Sequence, residues 1–143
     1  MQIQHVGLVV ADLERSRAFY ADVLGLDEVP RPPNFTFDGA WFRFGGTEIH
    51  LLAEEHTTGG AGQDGGVGAA RGMTHHLALE VDDLEPALAR LAAHGVALEG
   101  GPMPRGDGYV QAFFLDPDGH VLELFQHTGE DQSDAAERAP VRS

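Results

Sequence analysis

The sequence predicts an α+β chain made of two tandem βαβββ modules, whose curved mixed sheets carry helices on their outer face. Three observations predict it. The ten residues from His5 to Glu14 align without a gap on the ten from His76 to Glu85, at an offset of 71. Each copy then runs into a helical stretch that stops at a glycine, Gly25 in the first and Gly95 in the second. Each module also closes on one polar residue between aliphatics, Ile49-His50-Leu51 and Leu122-Glu123-Leu124, at an offset of 73. Self-similarity at a fixed spacing dictates architecture before any local propensity does.

In module one, residues 2–10 read as a strand. Asp12 is placed to cap a helix whose apolar face is Leu13, Phe19, Tyr20, Val23 and Leu24. A short strand at 26–30 precedes the breaker-rich Arg31-Pro32-Pro33-Asn34, and 39–44 and 47–52 form a hairpin across Gly45-Gly46. The linker over 54–72 holds seven glycines and almost no apolar side chains, so it reads as a flexible connector. It lacks the Gly-Lys-Ser/Thr ending of a phosphate-binding loop.

Module two repeats the order. The strand at 73–81 puts Leu77, Leu79 and Val81 on one face and His76, Ala78 and Glu80 on the other. Leu84, Leu88 and Leu91 give the next helix its apolar stripe, with Asp82 or Asp83 as cap and Pro86 tolerated in the first turn. A short strand at 96–99, a Gly/Pro loop at 100–108 carrying Arg105, and a hairpin of 109–115 and 120–126 across Asp116-Pro117-Asp118-Gly119 complete the module. The two modules, 2–53 and 73–127, make a single domain over 1–127. Residues 128–143 are polar, acidic and without period, and are expected to fray.

Composition narrows the function classes. A chain of 143 residues with 42% hydrophobic content is long enough for one core, burying roughly 68–70% of its unfolded surface. No apolar run approaches the roughly 18 residues of a membrane span, and no signal peptide is visible, so a cytoplasmic protein is expected. The net charge of −14 opposes a phosphate backbone and argues against nucleic acid as a partner. With no cysteine in the chain, any metal site must be made of histidine and carboxylate.

That pattern is present. His5 pairs with His76 in the repeat, and His50 pairs with Glu123. Strand alternation puts all four on the face opposite the helix-facing aliphatics, where three imidazoles and a carboxylate suit zinc, nickel, iron, cobalt or manganese. A buried carboxylate between two leucines is costly unless a charge compensates it. One such histidine alone reads more simply as a hydrogen-bonded core or rim residue, but four repeat-related positions outweigh that reading. Glu48 shares a face with His50 and either replaces it as ligand or serves as a base. His56, His75, His94, His120 and His127 read as structural or solvated, His120 being the strongest exception.

The paired modules, His5 and His76 opening them, the Asp-Pro-Asp-Gly hairpin and Glu123 in the last strand resemble the vicinal oxygen chelate superfamily. The resemblance covers residues 2–127. It implies one divalent transition metal per site, held by His5, His50, His76 and Glu123. It also implies a homodimer in which module one of one subunit often faces module two of the other, with sites at the interface. Glyoxalase I in that superfamily carries an arginine four residues after its first histidine, where this chain has Val9, and usually a glutamate where this chain has His50. The chemistry implied is stabilisation of an enediolate on a small oxygenated substrate, by a lyase or isomerase of the glyoxalase type. Glu123 then has a second role in proton transfer. Trp41, Tyr109 and Phe113 are candidates for the pocket wall, and Arg105 for an anionic group of the substrate. The alternatives are an Fe(II) dioxygenase of the extradiol type and a non-catalytic small-molecule binder in the bleomycin-resistance manner.

Overall fold

The repeat becomes two four-stranded sheets in the computed structural model, which describes residues 1–57, 59–62 and 74–129. Module one contains β1 (His5–Val10), α1 (Leu13–Ala18), β2 (Asp27–Val29), β3 (Gly39–Phe44) and β4 (Thr47–Ala53). Module two contains β5 (Leu77–Glu80), α2 (Leu84–Ala93), β6 (Leu98–Pro104), β7 (Tyr109–Leu115) and β8 (Val121–His127). The strand orders are β1-β4-β3-β2 and β5-β8-β7-β6. In each sheet the first strand runs parallel to the last and the other pairs are antiparallel. Register preserves the repeat: Gly7 lies opposite His50, and Ala78 opposite Glu123.

Local chemistry starts and stops the helices. The Asp12 carboxylate accepts from Arg15 N at 3.1 Å, and that of Asp83 from Glu85 N at 3.1 Å, so Asp83 is the cap of α2. Gly25 and Gly95 end the helical stretches at φ +72° and +73°. The first helix is not regular to its end. After Ala18 it widens into a π-helical turn over Phe19–Val23, with Leu24 N bonded to Phe19 O at 3.0 Å.

Three strands differ from expectation by more than one residue at a boundary. β1 begins at His5 rather than at residue 2. β5 covers only Leu77–Glu80, and residue 73 lies outside the described residues. β6 runs on to Pro104, so half of the expected 100–108 loop is strand. Two register shifts against β7 absorb its glycines, and an edge strand tolerates its prolines. Most of the glycine-rich linker, residues 58 and 63–72, and the tail from 130 onward also lie outside the described residues.

Both sheets and both helices share one core. Phe42, Ile49 and Leu51 of the first sheet cluster with Leu79, Phe114, Leu122 and Leu124 of the second, around Phe19 and Tyr20 and the α2 residues Leu84 and Leu91. The Asp116–Gly119 turn is the clasp between modules. Tyr20 OH donates to Asp116 Oδ2 at 2.7 Å, and Ala11 N to Asp118 Oδ1 at 3.1 Å. His120 Nε2 donates to Val9 O at 2.9 Å. His120 therefore serves the module junction, which explains a buried histidine without a ligand.

Candidate metal centre

Because each sheet gives its helix-covered face to the shared core, the opposite faces look outward, and the candidate ligands lie there. On β4, Ile49 and Leu51 are fully buried in the core, while Glu48, His50 and Leu52 line an open cavity with His5, Gln4, Phe35, Phe37 and Trp41. The His50 ring is sandwiched. His5 stacks at 4.1 Å and 11°, and Trp41 at 3.9 Å and 2°.

Hydrogen bonds orient this half. His5 Nδ1 donates to Gln4 Oε1 at 2.6 Å, so a neutral His5 carries its lone pair on Nε2. His50 Nε2 donates to Glu48 Oε1 at 2.9 Å. Glu48 also accepts from Arg43 Nη2 at 2.7 Å and Nε at 3.0 Å, and from Gln4 Nε2 at 3.4 Å. The hydrogen bond from His50, followed by those from Arg43, pulls the Glu48 carboxyl down to about 2. Glu48 is thus a committed carboxylate that holds His50, and not a free base.

The other half is on module two. His76 Nε2 stands 3.1 Å from Glu123 Oε1, with the edge of Phe113 against the His76 ring at 5.5 Å. His76 Nδ1 lies 2.8 Å from Thr74 O, and a carbonyl only accepts, so Nδ1 carries the proton. With its one proton on Nδ1, a neutral ring would face the Glu123 carboxylate as acceptor against acceptor. Something positive belongs between them, a proton or a metal ion. Glu123 is 4% exposed, and its second oxygen is buried without a hydrogen-bond partner, the nearest cation being Arg105 Nη1 at 3.6 Å. A buried acceptor in that condition, paired with an imidazole whose proton is on the far nitrogen, fits a metal ligand set.

The four candidate wall and anchor residues divide between the halves. Trp41 lies opposite His50 in the sheet register and Phe113 opposite Glu123, so the repeat places one aromatic beside each strand ligand. Arg105 is held by Asp107, with Nη2 to Oδ2 at 2.8 Å, and lies over the Tyr109 and Phe125 rings at 4.5 and 5.1 Å. The Asp107 hydrogen bond raises the Arg105 pKa further above its ordinary value, so its charge is permanent beside Glu123. Tyr109 is a platform for that guanidinium. Among the described residues no three of His5, His50, His76 and Glu123 gather within 4.8 Å. The three groups that do are Asp38, Glu55 and His56, all exposed. Sequence reading passed over that trio because Asp38 joins the other two only through the fold.

The chain matches the profile of the Glyoxalase/Bleomycin resistance protein/Dioxygenase superfamily over residues 2–124. It belongs to that superfamily. A lactoylglutathione lyase of Neisseria meningitidis is 35% identical over 144 residues, covering 97% of this chain and all of the relative. Among solved structures, the antibiotic-binding protein TnmS3 of a Streptomyces species superposes with a TM-score of 0.66 at 27% identity, covering 89% of this chain and 96% of the other. A fosfomycin resistance protein, FosX, of Listeria monocytogenes, complexed with Mn(II) and 1S,2S-dihydroxypropylphosphonic acid, superposes with a TM-score of 0.69 at 22% identity. That match covers 91% of this chain and 95% of FosX and shows the shared fold. The chain thus carries its candidate ligands on a fold shared with an antibiotic-binding protein and a fosfomycin resistance protein.

Proposed function

We infer that the protein is a metal-dependent enzyme of the glyoxalase type, a lyase or isomerase acting on a small oxygenated substrate. The observation that carries this reading is the approach of His76 Nε2 to Glu123 Oε1 at 3.1 Å, beside a buried Glu123 Oε2 that has no hydrogen-bond partner. Kinship at 35% identity with a protein named lactoylglutathione lyase supports the reaction class.

His5, His50, His76 and Glu123 would hold one divalent ion, zinc, nickel, iron, cobalt or manganese. Bound there, such an ion would supply Lewis-acid charge to the oxygens of the substrate. The protein's own part is positional. Glu123, sequestered from water, is placed to move the proton next to that oxygen pair, while Trp41 and Phe113 exclude solvent from either side. Glu48 holds His50, and Gln4 holds His5.

On one chain the halves face outward, so a second copy supplies the complement, with His5 and His50 from one subunit and His76 and Glu123 from the other. The working unit in this reading is a cytoplasmic homodimer with interfacial sites. Among the described residues no helix is long and apolar enough to cross a membrane. Val9 stands where the resemblance places a glutathione-anchoring arginine, so a glutathione adduct is not the favoured substrate. A non-catalytic binder has one observation in its favour, the superposition on an antibiotic-binding protein, and metal content separates the two.

Elemental analysis of protein purified without tag or chelator should find about one transition metal per chain, two half-sites per chain making one site. His76→Ala and Glu123→Ala should lose it. His94→Ala should keep it, since His94 Nδ1 only caps its helix through Arg90 O at 2.9 Å. Metal retained in the first two variants would remove the assignment, and a protein that takes up none would be the binder.

A further inference from the structure

The cavity that holds His5 and His50 has a second wall that the metal chemistry does not use. It comes from the segment between β2 and β3. Phe35 packs edge-on against Phe37 at 5.3 Å and 82°, and against Trp41 at 5.4 Å and 71°. Together with Leu52 these rings line about 420 Å³ of open space next to His5 and His50. Phe35 is 38% exposed, one of three large hydrophobic residues left in solvent among the described residues, and the other two are at the N-terminal end. Three aromatic rings set edge-to-face make a poor water-facing surface and a good receptor for a flat apolar group.

The segment is built to hold that shape. Arg31 donates from Nη1 to Gly39 O at 2.9 Å and from Nη2 to Phe37 O, tying the chain between Phe37 and Trp41 to one side chain. Its guanidinium also lies 5.0 Å from the Phe37 ring centre and 5.6 Å from that of Phe35. Arg31 is not among the lining residues.

Charge excludes the other occupants. All nine basic residues of the chain are arginine, and none of them lines this cavity among the described residues. Arg43 nearby is bound to Glu48 at 2.7 Å, so that cation is already engaged with the carboxylate in the lining. Beyond any ion held at His5 and His50, the lining offers a carboxylate-bearing substituent Glu48 and no arginine. A neutral planar group meets only rings.

We propose that Phe35, Phe37 and Trp41 form a substrate cup that selects compounds carrying an aryl group next to two vicinal oxygens. The oxygens lie toward His5 and His50, and the ring sits against the cup. The placing of the oxygens rests on the metal-site reading above, whereas the aryl preference stands on the cup alone.

Trp41 is the only tryptophan in the chain, so its fluorescence reports binding at the cup directly and without turnover. Mandelate and lactate are the probes. They share an α-hydroxy acid and a single charge and differ only in phenyl against methyl, so repulsion by Glu48 cancels in their ratio. Titrations of the untagged full-length protein, with and without added Zn(II), should show mandelate binding at least ~10-fold tighter than lactate. Phe37→Ala and Phe35→Ala should each reduce that ratio several-fold while leaving metal content unchanged. A ratio near one in the unaltered protein, as a cup covered by a second subunit would give, overturns the proposal. So does a ratio that survives both substitutions. A preference for mandelate that persists in protein unable to bind metal supports the cup and removes the metal-site reading, so the two fail separately.

Discussion

Tyr20 and Asp116 show how single residues tie the two modules together. Burial pushes the Asp116 carboxyl above its usual range, while the hydrogen bond from Tyr20 OH pulls in the other direction by favouring the charged form. A carboxyl raised in the folded state makes stability decline as pH rises through the interval above its unfolded value. Removing the hydroxyl donor withdraws support from the charged form alone. Tyr20→Phe should therefore destabilise by about 1–3 kcal/mol at pH 8 and by less at pH 4, as read from urea unfolding at the two values. An equal loss at both would mean that the carboxylate does not depend on that donor. The Glu48–His50 pair illustrates a limit of sequence reading. Spacing puts both on one face, but only the contacts with Arg43 and Gln4 show which one is already occupied.

At the scale of elements, turns with a local chemical signature were legible and irregularities within an element were not. The Asp116-Pro117-Asp118-Gly119 turn forms as expected, with Gly119 N bonded to Asp116 O at 3.0 Å and Gly119 at φ +85°. A methyl group added at Gly119 meets no heavy atom within 4 Å, so the only cost there is the backbone conformation. Gly119→Ala should lower stability by about 1–2 kcal/mol, with an unchanged denaturant slope. A neutral result would show the turn relaxing to another form. The π-helical turn at Phe19–Val23 left no trace in the sequence, because a regular turn would bury the same residues. The length of β6 was missed because Gly100-Gly101-Pro102 looks like a loop, whereas pairing with β7 through register shifts holds it in the sheet.

For the whole molecule, the arrangement of the modules matters more than their content. The helix-covered faces meet in one core, and among the described residues no three of His5, His50, His76 and Glu123 gather at one point. If a second copy completes each site, two defective chains can repair each other. Mixed dimers of a His5→Ala chain with a Glu123→Ala chain carry one intact site of two, so an equal mixture should regain about a quarter of the unaltered metal capacity. Either variant alone should show almost none. A site closed within one chain would give no recovery on mixing, and metal titration of refolded mixtures distinguishes the cases.

The sequence by itself determined the repeat, the two sheets and the identity of the four candidate ligands. Side-chain alternation has a fixed period of two, and a polar residue between core aliphatics can point only one way. Tertiary structure alone decided which donors meet and which are already engaged. It committed His120 to Val9 O, Glu48 to Arg43 and Arg105 to Asp107, and it brought Phe35 against both Phe37 and Trp41. His120 and Val9 stand 111 residues apart, and the closer pairs depend on how a hairpin or loop turns its side chains, which spacing alone does not reveal.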